Sequence, residues 1–139
     1  MSDRKKVVVN GCFDIIHPGH IKLIEHAAQH GDVYVFINSD DSVEDLKGHR
    51  PYLGEEDRAE ILRAIKGVRA VLIFKNQEDL HNLYAWMTPD VMVIGDEYRD
   101  KTVVGKEFCK KVVFFKKLPG LSTSSIVERI RNAASTDLR

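Results

Sequence analysis

The chain has only two cysteines, Cys12 and Cys109, too few and too far apart for a disulfide framework or a zinc knuckle. Two reduced thiols are expected, one near a loop and one near a strand. No apolar run approaches the ~20 residues that a membrane helix needs. Neither charge is in excess, with 21 acidic and 21 basic residues. That balance argues against a general binder of nucleic acid or of membrane surfaces, which carry a basic surplus, so any anion site must be local. The opening MSDRKKVVVN has no long apolar core and no small-residue cleavage site, so a cytoplasmic protein is expected. What remains, 139 residues with 43% hydrophobic and 30% charged side chains, fits one domain with a substantial core. Residues 1–4 and 134–139 are expected to be flexible tails.

The stretch with most chemistry is Asn10 to His20, NGCFDIIHPGH. The apolar run Val7 to Val9 feeds into Gly11, a Pro18-Gly19 pair and two histidines, after which His20, Leu23, Ile24, Ala27 and Ala28 mark a helical stripe. Strand, phosphate-sized turn and helix is the natural reading. A helix N-terminus there offers free N–H groups and a positive dipole end. The His17-x-x-His20 spacing, with Asp14 nearby, also fits a metal pair or simple helix capping, but Pro18-Gly19 suits a turn beneath a phosphate better.

Periodicity predicts strands over 5–9, 33–37, 70–74, 91–94 and 112–115. Helices are expected over 19–30, 42–46, from Gly54 through Ile65, over 78–86, and after Ser122. Residues 97–108 show no clear period; a loop at 101–105 and a short helix through Phe108 are expected. Short strands alternating with helices indicate an α/β fold, a single doubly wound, Rossmann-like domain with a five-stranded parallel sheet. Ligands of such sheets bind beyond the carboxyl ends of the strands, at the switch in strand order. The unusual segments fall at those ends: 10–20, 38–41, Gly95-Asp96 and 118–125. Tyr84 and Trp86 fit either the core or a dimer surface.

Other candidates have plain alternatives. Four hydroxyl residues, Ser122 to Ser125, open the last helix, where a cap needs one. Lys47, Arg50, Arg58 and the Lys116-Lys117 pair fit an anion site or a solvated surface. Arg58 is odd, a charge leading an apolar stripe. Asp14 and Asp96 fit Mg²⁺ or a ligand hydroxyl, or turn aspartates bonded to the backbone.

HPGH resembles the H-x-G-H signature of the cytidylyltransferase-like nucleotidyltransferases, and GLSTSSI resembles their second signature at the start of the last helix. The resemblance spans roughly Lys5 to Ile130. NGCFD, INSDDSV and LKGHRP are similar to heptose 1-phosphate adenylyltransferases; VIGDEY and KLPGLSTSS look like glycerol-3-phosphate cytidylyltransferases. The resemblance implies transfer of a nucleoside monophosphate from ATP or CTP to a phosphorylated sugar or polyol, with Mg²⁺ and release of pyrophosphate. It implies catalytic roles for His17, His20, Lys47 and Arg58. Nucleotide contacts are implied for Gly11, Cys12, Phe13, Gly19, Gly95, Asp96, Lys117, Ser122, Thr123 and Ser124. Acceptor or metal contacts are implied for Asp14, Asp40 and Arg50. A non-catalytic nucleotide-binding module is the reading from another class.

Overall fold

The computed structural model describes residues 4–117, 120 and 122–137. Five parallel strands, β1 (Lys6–Gly11), β2 (Asp32–Asn38), β3 (Val68–Phe74), β4 (Val91–Gly95) and β5 (Lys111–Phe115), form one sheet in the order β3-β2-β1-β4-β5. Five helices connect and follow them: α1 (Pro18–Ala28), α2 (Asp40–Lys47), α3 (Glu55–Arg63), α4 (Gln77–Met87) and α5 (Thr123–Asp137). The expected architecture is thus the observed one. At the edges, α2 begins two residues earlier than periodicity suggests, because Ser39 caps it by accepting from the Ser42 amide. Residues 134–137 lie within α5. Leu118, Pro119 and Leu121 of the KLPGLSTSS segment lie outside the described residues.

The β-branched runs explain the sheet's position. Successive side chains of a strand point to opposite faces, so Val7 and Val9 join Ile24, Ala27 and Leu62 on one side while Val8 joins Phe36, Tyr84 and Met92 on the other. Val7, Val8 and Val9 are all fully buried. Each is worth about 1.5–3 kcal/mol of burial. Tyr84 belongs to this core, fully buried with its hydroxyl accepting from Asn10 Nδ2 at 2.6 Å, so it is not part of a dimer surface; Trp86 is 71% exposed.

Strand order reverses between β1 and β4, and there the ladder is short. β1 and β2 stay in register as far as Gly11 opposite Ile37, and β4 and β5 as far as Gly95 opposite Phe115. β1 and β4 pair only at Val7–Val91 and Val8–Met92. Beyond that point the strands part and open a crevice at their carboxyl ends.

Candidate active site

The crevice widens into an open cleft of about 820 Å³. Of the residues expected to bind nucleotide or catalyse, it collects Gly11, Cys12, Phe13, His17, Gly19, His20, Lys47, Gly95, Lys117, Ser122, Thr123 and Ser124 in its lining, along with Asp14. Their placement follows from local rules. Pro18 opens α1, where its missing N–H costs nothing. His17 caps that helix: its Nδ1 accepts from the Gly19 amide at 3.0 Å, and His20 Nδ1 accepts from the His17 amide at 3.2 Å. With both Nδ1 atoms accepting, each neutral ring keeps its proton on Nε2 as the remaining donor. The rings lie 3.9 Å apart between centroids. Desolvation first, then the neighbouring His17, Lys117 and Lys47, pushes His20 down to about 4. Burial and then Lys117 also lower His17. At neutral pH the pair therefore offers donors without charge.

Phe13 sits in the left-handed region at φ 49°, rare for an aromatic residue and a form of local strain typical of ligand loops. Its ring lies 5.1 Å from that of His20 and covers Gly11, where an added Cβ would stand 3.2 Å from Phe13 Cε2. The Cys12 thiol donates to Asn38 Oδ1, and burial pushes its pKa up against the pull of Lys47 and Arg58.

The hydroxyl run divides its labour. Ser122 and Ser125 bond each other reciprocally, Ser125 N to Ser122 Oγ and Ser122 N to Ser125 Oγ, as a cap of α5. Thr123 Oγ1 donates to the Ile15 carbonyl at 3.2 Å and fastens α5 to the first loop across 108 positions. Ser124 lines both this cleft and a second groove, between α5 and the segment after α2, that also holds Lys47, His49, Tyr52 and Arg131. Capping thus takes two hydroxyls where one was expected.

Several expected contacts are corrected. Arg58 is fully buried under the cleft and donates to the carbonyls of Leu53, Cys12 and Asn38 and to Asp40 Oδ1, all within 2.9 Å. It braces three loops and presents nothing to a phosphate, which also explains a charge on an apolar stripe. Asp40 is its counter-ion. Asp14, 4% exposed, accepts the Tyr52 and Leu53 amides on its two oxygens at 2.8 Å, the backbone-bonding alternative for a turn aspartate. Arg50 pairs with Asp41 and Glu44 on the surface, outside the cleft lining. Asp96 pairs with Arg99, and Glu97 takes its place in the cleft, bonded to Lys117 Nζ at 3.2 Å. Glu97 escaped sequence reasoning because residues 97–108 carry no period. The available signal was an acid two positions beyond a strand-ending glycine.

A magnesium ion held by the chain alone does not fit these donors. Asp14, Asp40 and Asp96 are engaged as above, and among the described residues no three His, Cys, Asp or Glu side chains gather into a metal cluster.

Residues 8–129 match the family described as Cytidylyltransferase-like. This chain belongs to the cytidylyltransferase-like family of nucleotidyltransferases. Among curated relatives, the bifunctional protein HldE of Campylobacter jejuni subsp. doylei is 45% identical over 94% of this chain and 28% of its own length. That of Helicobacter acinonychis is 39% identical over the same shares, and that of Campylobacter concisus 43% identical over 96% and 29%. The chain therefore spans a little over a quarter of these relatives. In fold it is similar to a lipopolysaccharide core biosynthesis protein from Thermoplasma volcanium, with a TM-score of 0.69 and 23% identity over 83% of this chain and 98% of that one.

Proposed function

We propose that this nucleotidyltransferase domain moves an adenylyl group from ATP to a heptose 1-phosphate-like sugar phosphate and releases pyrophosphate. The observation that carries the reading is the Thr123–Ile15 bond, which sets the hydroxyl-bearing start of α5 against the loop that delivers His17 and His20. A polyphosphate laid across that junction meets two helix N-termini, two imidazole donors and the ammonium groups of Lys47 and Lys117. Support for the sugar phosphate comes from the likeness of NGCFD, INSDDSV and LKGHRP to the heptose enzymes. The VIGDEY segment, whose Gly95, Glu97 and Tyr98 line the cleft, favours a second reading, a CTP-dependent enzyme acting on glycerol 3-phosphate.

In the proposed reaction an oxygen of the acceptor phosphate attacks the α-phosphorus. A P–O bond forms there while the bond to the bridging oxygen of pyrophosphate breaks, and pyrophosphate leaves with that electron pair. The nucleophile is already an anion, so the protein needs no general base and contributes alignment and charge stabilisation. His17 and His20 donate from Nε2 to the phosphoryl oxygens on which charge grows. Lys47, which lines both the cleft and the second groove, lies between the transferred phosphoryl and the acceptor. Ser124 and the α5 amides hold the outer phosphates. Magnesium belongs to this proposal as part of the metal–nucleotide substrate, where it neutralises phosphate charge. A cytoplasmic setting and a homodimer complete the reading.

The test is a matrix of ATP and CTP against heptose 1-phosphate, glycerol 3-phosphate and related acceptors, scored by pyrophosphate release. One productive pair with ATP and the sugar phosphate is expected. Release with no pair, in protein that binds nucleotide, makes the domain a binding module instead.

A further inference from the structure

The cleft has two kinds of wall. Toward α1 and α5 it is polar. At the carboxyl ends of β1 and β4 it is lined by Gly11, Ile94 and Gly95, small and apolar surfaces suited to a planar base, and its lining also includes Tyr98, Val104 and the charged pair Glu97 and Lys117. The Glu97 carboxylate folds back over Gly95 and fills the space that a Cβ at that position would take. Its other oxygen meets Lys117 Nζ at 3.2 Å, an ion pair with side chains 40% and 68% exposed. Lys117 is in turn close enough to the two histidines to shift both rings. Glu97, Lys117, His17 and His20 all line the same cleft.

We propose that Glu97 reads the base, its carboxylate accepting a hydrogen bond from the exocyclic amine of a purine or pyrimidine nucleotide. This rests on the nucleotidyl-transfer reading and adds to it the residue that selects the nucleotide class. An ionised carboxylate only accepts. Adenine and cytosine present an amino donor where guanine, hypoxanthine and uracil present a carbonyl oxygen. Glu97 therefore admits ATP and CTP alike and rejects the keto bases, leaving the choice between adenine and cytosine to other contacts. In the ligand-free protein Lys117 satisfies the carboxylate. Exposed pairs of this kind are weak, so a bound triphosphate draws Lys117 away and the base amine replaces it on Glu97.

Equilibrium binding of ATP against ITP, and of CTP against UTP, tests this in the full chain, because within each pair the exocyclic amine becomes a carbonyl and the adjacent ring nitrogen gains a proton. The wild-type protein is expected to bind the amino member at least ~10²-fold more tightly, since a site built for a donor rejects a ligand lacking it. Glu97→Gln, whose amide can donate to a carbonyl, is expected to narrow that ratio at least ~10-fold with an unchanged melting temperature. Wild-type ratios within a few-fold of one, or an unchanged ratio in Glu97→Gln, overturn the inference. So does a Glu97→Gln protein that instead loses preference for ATP over 2′-deoxy-ATP, because the carboxylate then holds the ribose. Failure to bind both ATP and CTP overturns the inference together with the reading beneath it. Selective binding without pyrophosphate release with any acceptor overturns that reading alone.

Discussion

Arg58 and Lys117 are both cations beside one cleft, and their surroundings are opposite. Arg58 is fully buried, and each of its nitrogens donates to a carbonyl or to Asp40. Lys117 is 68% exposed and holds the single carboxylate of Glu97. A planar guanidinium with fixed donors suits the first task, tying the β1–α1 turn, the end of β2 and the segment before α3 into one floor. A flexible ammonium suits the second, where the partner changes when a ligand arrives. The comparison separates charge that builds the cleft from charge that serves it.

The largest expected effect breaks the floor. Arg58→Ala leaves three buried or half-buried carbonyls and Asp40 without their donor, and removing one member of such a set costs about 3–5 kcal/mol. Against a usual total of about 5–15 kcal/mol, that is a severe loss. A denaturant midpoint near wild type would show that Arg58 is not a brace. Arg58→Lys is expected to rescue little, since one ammonium cannot span four acceptors in that geometry.

Next come the imidazoles. Replacing His20 with alanine removes a preorganised donor and is expected to lower kcat by about 10²- to 10³-fold, or 3–4 kcal/mol of transition-state stabilisation. His17→Ala should lose as much activity and also ~1 kcal/mol of stability, because the ring caps α1. Steady-state kinetics beside denaturant melts separate the two contributions. Near wild-type turnover in either variant removes the catalytic assignment.

Asp14→Asn tests the floor more gently. The side chain keeps one oxygen for the two amides it now holds, so a stability loss of about 1–3 kcal/mol is expected, with the segment carrying Tyr52 and Leu53 loosened. Increased amide exchange confined to residues 47–54 is the signature. An unchanged exchange pattern contradicts the role. Lys117→Ala lies at the other extreme: stability within ~0.5 kcal/mol of wild type, as for an exposed pair, while nucleotide affinity falls.

The same division explains how much could be read in advance. The β-branched strands and the 3.6-residue stripes of α1 and α3 are local patterns, so strand and helix positions were legible to within a few residues, and parallel order followed from their alternation. The two segments that open α1 and α5 on the cleft were legible because glycine, proline, histidine and hydroxyl residues are unusual at helix starts. Burial of charge was not. Arg58 looked like a phosphate ligand because its partners, Cys12, Asn38 and Asp40, come from other segments and meet it only in three dimensions. Asp14 hid its task for the same reason, its amide donors lying 38 and 39 positions away. Glu97 hid inside an irregular segment whose shape depends on the β4–β5 pairing.

The smallest effect is in protons. Free His20 is pushed down to about 4, chiefly by desolvation, whereas an unfolded chain titrates near 6.5. The unfolded state binds more protons between those values, so the stability that neutral His20 contributes is complete above about pH 6.5 and is lost as pH falls toward 4. A bound triphosphate reverses the local field. Its negative charge raises both imidazoles, and binding near pH 5.5 should take up a fraction of a proton per site, falling toward zero above about pH 8. Titration calorimetry in two buffers of different ionisation enthalpy measures that uptake directly. Uptake that falls in His20→Ala and vanishes when His17 is replaced as well places the phosphates beside these rings, and equal uptake in the double variant places them elsewhere.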